Sequence, residues 1–182
     1  MNNRKKQKLF LLATRLILLS AILWLSGSLG LSFQTSLSDS SLKKLVRNFE
    51  YTLSTGFKYK LADGCFKQGR SIEDYVNIRL DSFISGDLNG DGRQDAAVVL
   101  VSNYGGSGFF YELTALINDG LSFHQTNSLE LGDRVEIKKI RINQEKVIID
   151  LLTQGADDPS CCPSKKVNLV FQFRNGQLYE TK

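Results

Sequence analysis

Histidine is almost missing from this chain: His124 is the only one in 182 residues. That excludes a metal centre built on several imidazoles and removes the commonest acid–base catalyst near neutral pH. No other matched acid–base pair stands out, so the sequence predicts no catalysis. His124 itself reads as a half-exposed strand residue. Proline is nearly as scarce: Pro159 and Pro163 are the only two, and they flank Cys161-Cys162 in "DDPSCCPS". The third and last cysteine is Cys65. No C-x-x-C spacing occurs, so nothing points to a zinc motif. No long internal repeat is visible either.

Excess charge on the body of the chain is also lacking. The formal charge is +4, but residues 1–33 hold Arg4, Lys5, Lys6, Lys8 and Arg15 and no acidic residue. The remainder carries 18 basic residues against all 19 acidic ones. A nucleic-acid binder concentrates positive charge on its folded part, so that partner class is excluded. The basic block is followed by "LILLSAILWL" (16–25) and the small-residue run "SGSLGLS" (26–32). These are the n-, h- and c-regions of a secretory signal peptide, with cleavage after Ser28, Gly30 or Ser32. The rival reading is an uncleaved N-terminal membrane anchor over 9–33, which would have to carry Arg15 at a cost of about 2.5 kcal/mol or more. Either way the positive end stays inside and the domain is exported, to be periplasmic, secreted or tethered to the inner membrane. Contact with membrane is expected only through this segment, and only if it is uncleaved. No cysteine precedes Cys65, which excludes a lipoprotein-type acylated cysteine after the h-region.

Serine-rich "QTSLSDSS" (34–41) reads as a linker, and 42–182 as a single mainly β domain. It opens with one short helix in "SLKKLVRNF", where Leu42, Leu45, Val46 and Phe49 share a face and Ser40 or Ser41 caps. Two lysines near its start oppose the helix dipole, so docking must hold it. The rest reads as strands: "AAVVLV" (96–101), "FFYELTALI" (109–117) turning at "NDG" into "LSFHQ", and "VEIKKIRI" (135–142) with a bulge at Lys138-Lys139. Then come "KVIIDLLT" (146–153) and "VNLVFQF" (167–173), the latter with Val167, Leu169, Phe171 and Phe173 on one face. Asn175-Gly176 forms a hairpin turn into the last strand. Strands joined by short turns imply an antiparallel sheet or sandwich with one N-terminal helix, a mainly β (α+β) fold.

The densest chemistry lies in "GDLNGDGRQDAAVVL" (86–100). Calcium takes six to eight oxygens in flexible geometry. Asp87, Asn89 and Asp91 alternate as side-chain donors, Gly92 suits a turn at positive φ, Arg93 can offer its carbonyl with its side chain outward, and Asp95 follows, binding directly or through water. Residues 87–95 resemble the D-x-[DN]-x-D-G-x-x-D loops of FG-GAP and integrin-type β-propeller blades and of dockerin modules. The resemblance implies a structural Ca2+ between two strands. Val98 stands where an EF-hand has its bidentate glutamate, which removes the sensor reading and implies weak affinity, about 10⁻⁴–10⁻³ M. The competing reading is a metal-free turn, since Asn-Gly and Asp-Gly form turns unaided.

For the cysteines the sequence favours a disulfide from Cys65 to Cys161 or Cys162, leaving one thiol. A soft-metal site with His124 and a redox role for the vicinal pair are the alternatives. "NYGGSGFF" (103–110) lacks the lysine and spacing of a phosphate loop, and Phe109 breaks a nucleophile elbow, so it reads as a glycine-rich hairpin connection. The combination of "GDLNGDG", "GGSG", "LGDR" and "DPSCCPS", over about 86–165, is similar to exported bacterial proteins, a likeness that implies compartment and fold but no chemistry. The functional expectation is an exported, calcium-stabilised binding or structural domain for an unknown protein or envelope ligand. Its alternatives are a metal-dependent hydrolase using Asp87–Asp95 with Tyr104–Ser107, and a thiol-redox or copper-handling protein using Cys161 and Cys162.

Overall fold

Ala96, Ala97, Val98, Val99, Leu100 and Val101 are each at most 2% exposed. Alternate side chains of a strand point to opposite faces, so a strand with no polar face must be covered on both sides. The computed structural model, which describes residues 38–159 and 161–181, supplies both covers. The signal or anchor segment (1–33) and the start of the linker lie outside the described residues.

The elements are α1 (Asp39–Arg47), β1 (Glu50–Thr52), β2 (Lys58–Lys60), β3 (Cys65–Gln68), β4 (Val76–Gly86), β5 (Asp95–Asn103), β6 (Phe110–Asn118), β7 (Phe123–Gln125), β8 (Leu129–Asp133), β9 (Glu136–Asn143), β10 (Lys146–Thr153), β11 (Lys165–Arg174) and β12 (Gln177–Glu180). A six-stranded antiparallel sheet runs β3-β4-β5-β6-β7, with β8 also paired to β6. One face packs on a four-stranded sheet, β12-β11-β10-β9. There Ala97 and Val99 meet Leu113, Val147, Ile149 and Phe171. The other face is covered by α1 and the β1–β2 hairpin, so that Ala96, Val98 and Leu100 meet Leu42, Val46 and Tyr51. Among the described residues the fold is mainly β, with three antiparallel sheets and one short helix.

The expected bulge is present: β9 skips Lys138 between its pairings Lys139↔Asp150 and Ile137↔Leu151. Val167, Leu169, Phe171 and Phe173 all face the inter-sheet core. The helix begins earlier than its hydrophobic spacing suggests. Ser38 is the cap, its hydroxyl accepting from the Ser41 N–H at 3.3 Å, so Asp39–Ser41 belong to the helix rather than the linker. Asp39 then occupies the first turn and Arg47 the last, so the dipole is complemented, not opposed. Leu42 and Val46 still dock it to the sheet. Among the described residues no helix is long and apolar enough to cross a membrane.

Candidate metal centre

The aspartate loop joins β4 to β5, closed by the pair Gly86↔Asp95, so it is a strand–loop–strand turn. Gly90 and Gly92 take φ of 80° and 78°, a region open to glycine at no steric cost. The backbone winds so that its N–H groups point inward. Asp87 accepts from Asn89 N–H (3.2 Å), Gly90 N–H (2.7 Å) and Gly92 N–H (2.8 Å). Asn89 Oδ1 accepts from Asp91 N–H at 3.1 Å. Asp91 accepts from Arg93 N–H (2.8 Å) and the Asn89 amide (2.8 Å).

Two residues depart from the expected pattern. Arg93 does not point outward: its guanidinium folds back to Asp91 Oδ2 at 2.6 Å and donates to Asn118 O at 2.9 Å. The loop therefore carries its own cation. Asp95 is fully buried as the first residue of β5. One oxygen accepts from Leu88 N–H at 2.9 Å and the other from Asn118 N–H at 2.8 Å, tying the loop to β6. Burial pushes the Asp95 carboxyl up, further than those two N–H groups pull it down, and the charges of Asp91 and Asp87 add to the rise. Burial also opposes ionisation of Asp91, but the Arg93 and Asn89 donors outweigh it and hold that carboxyl below its ordinary value.

A fourth carboxylate reaches the loop from the β9–β10 turn. Glu145 Oε1 lies 3.0 Å from the position a Cβ would take on Gly90. Gln144 (φ 49°) and Glu145 (φ 61°) are both left-handed, in a two-residue turn that ordinarily uses Asn-Gly. Left-handed backbone costs a non-glycine residue roughly 1–2 kcal/mol. Only three-dimensional proximity reveals Glu145; nothing in the loop's own spacing points to it.

The donors are all hard oxygens, the chemistry calcium takes. Each carboxylate has about four lone-pair sites, and the hydrogen bonds to Asp87, Asp91 and Asp95 leave some free. Among the described residues, no three His, Cys, Asp or Glu side chains form a ready-made metal group. An ion held here would draw on the Asn89 amide oxygen and Arg93 carbonyl as well, and on Asp91 only if the Arg93 guanidinium released it.

The other candidate residues do not assemble. Asp87–Asp95 and Tyr104–Ser107 flank opposite ends of nine-residue β5, about 26 Å apart at strand rise. They cannot form one hydrolytic site. The glycine-rich stretch is a hairpin connection as expected, held by the Asn103 amide donating to Gly106 O (2.8 Å) and Gly108 O (2.7 Å). Cys161 bonds to Cys162, not to Cys65, and Cys65 is a free, exposed thiol. Cys65 on β3 and His124 on β7 sit at opposite edges of the sheet, roughly 19 Å apart at the usual strand spacing, so no soft-metal site joins them.

His124 is exposed rather than half-exposed and contacts Asp119 Oδ2 (2.6 Å) and Ser122 Oγ (3.0 Å). Both contacts use Nε2, whereas a Ser-His-Asp triad needs a different ring nitrogen for each partner. Asp119 also accepts from Leu121 and Ser122 N–H, so the cluster is a turn. Compared with protein-family models, curated proteins and solved structures, the chain matches none.

Proposed function

We propose that this chain is an exported binding or structural β domain whose β4–β5 loop holds a stabilising Ca2+ and whose chemistry is recognition rather than catalysis. The reading rests above all on the crowding of oxygen donors. Asp87, Asp91 and Asp95 share one nine-residue turn, and Glu145 joins them from another hairpin at the expense of a strained backbone. Arg93 offsets one negative charge of that set, leaving an excess that a divalent cation would neutralise. Asp87, Asn89 and Asp91 would hold the ion through side chains and Arg93 through its carbonyl. Asp95 fixes the frame beneath them. Export follows from the basic and apolar N-terminal segment.

Calorimetric titration of the full chain with calcium tests the reading. One weak site, about 10⁻⁴–10⁻³ M, is expected, and it should vanish when Asp87 and Asp91 are both changed to Asn. Arg93→Ala frees Asp91 and should tighten binding. A titration without heat, or one unchanged in the double variant, would remove calcium from the account.

A further inference from the structure

At the other end of β5 the β1–β2 turn leans over the β5–β6–β8 ladder and with it lines an open cavity of about 500 Å³, the volume of a small-molecule site. Its walls include Tyr104, Phe110 and Tyr111, and its polar groups include Ser54, Glu112 and Glu130. Tyr104 and Phe110 remain 37% and 44% exposed, with ring centroids 6.2 Å apart, so aromatic surface is open at the mouth.

The carboxylates are arranged against their own stability. Glu112 and Glu130 are direct cross-strand partners on β6 and β8, where like charges repel. Glu112 is only 4% exposed. Its carboxylate accepts from Ser54 N–H (2.8 Å) and Ser54 Oγ (3.1 Å), and that same hydroxyl lies 3.2 Å from Glu130 Oε1. All these donors are neutral. Asp133, also in the cavity wall, is paired with Arg134 at 2.7 Å. Glu112 and Glu130 have no ion-pair partner among the described residues. A buried carboxylate beside a like charge, without a counter-charge, is a local cost that natural folds keep mainly at functional sites.

We infer that this cavity binds an organic cation, an ammonium or guanidinium group on an apolar body. The charged head would sit between Glu112 and Glu130, and the apolar body would pack against the exposed Tyr104 and Phe110 rings. A bare metal ion would leave the aromatic surface unused. The site lies at the opposite end of β5 from the aspartate loop and is proposed independently of calcium there.

The test is a chemical-shift titration of the isotope-labelled full chain, in EDTA so that the calcium loop plays no part. The probes are n-pentylammonium as a free amine, N-acetyl-lysine methylamide as a polypeptide-borne one, and n-pentanol as the neutral isostere of the first. Either cation should shift resonances of Tyr104, Tyr111 and Glu112, and the tighter of the two identifies the source. Pentanol should bind about tenfold more weakly or less. Glu130→Gln and Tyr104→Ala lie at the exposed rim and should fold; Glu130→Gln should weaken the cations severalfold while leaving pentanol unaffected, and Tyr104→Ala should weaken all three probes. Equal binding of pentanol and the cations would overturn the inference. So would the absence of shifts with all three probes, or unchanged cation binding in both variants.

Discussion

Asp95 Oδ1 accepts the Asn118 backbone N–H at 2.8 Å, so one buried carboxylate joins the aspartate loop to the end of β6. Its other oxygen takes the Leu88 N–H at 2.9 Å. Asp95→Ala leaves both donors buried without an acceptor and should cost about 2–4 kcal/mol. Asp95→Asn keeps one acceptor and removes a crowded charge, so it should cost clearly less. Urea unfolding of both variants checks the order.

Glu145 offers a change whose sign depends on the ion. Glu145→Gly relieves a left-handed residue at φ 61° and should stabilise the hairpin by about 0.5–1 kcal/mol in EDTA. It also deletes the fourth carboxylate, so the gain from added calcium should shrink. Paired melting curves with and without calcium separate the two effects; a variant that gains equally in both conditions would place Glu145 outside the site.

Much of this fold is legible in the sequence, and the exceptions have physical causes. β10, β11 and β12 announce themselves by apolar pattern and an Asn-Gly turn, and β5 by an unbroken apolar run. Of the eleven-residue β4 only its end, the "SFI" (82–84) before the aspartate loop, reads as strand; a bulge between Leu80 and Ser82 shifts the alternation and hides the rest. β1, β2 and β3 are three or four residues long and mix charge with aromatics, too short for a period to emerge. In the loop, spacing gives Asp87, Asn89 and Asp91, but not the return of Arg93 or the arrival of Glu145. The cavity is invisible in sequence because Ser54, Tyr104, Glu112 and Glu130 come from four separate segments.

Cysteine pairing provides a covalent check. With Cys161 bonded to its neighbour, the oxidised chain should carry one free thiol, at exposed Cys65. Non-reduced peptide mapping should find Cys161 and Cys162 within one peptide, two hydrogens lighter than the dithiol. A link between neighbours closes almost no loop, so reduction should cost the fold only about 1 kcal/mol. A crosslinked peptide containing Cys65 would contradict this arrangement.

Glu112 gives the cavity a pH signature. Burial pushes its carboxyl above the ordinary value, more than the Ser54 hydrogen bonds lower it, and Glu130 adds to the rise. A carboxyl raised on folding favours the folded state while protonated. That contribution is full below the unfolded value and is lost as pH rises through the folded one. Glu112→Gln removes this loss. Its melting temperature relative to the parent chain should therefore climb as pH goes from about 4 to 7. A difference flat across that range would show that Glu112 is not held up by its site.

The central claim, a calcium-stapled domain, is tested most directly by thermal melting of the purified chain in 10 mM calcium against EDTA. With a dissociation constant of about 10⁻⁴–10⁻³ M, linkage gives about 1.4–2.7 kcal/mol of stabilisation. For a domain of this size that is roughly 4–8 °C. The account predicts a rise of that order, smaller or absent with magnesium, whose strict octahedral demand this loop does not suit. Identical melting in calcium and EDTA would contradict it and leave the aspartate loop a turn held by Arg93 and backbone N–H groups alone.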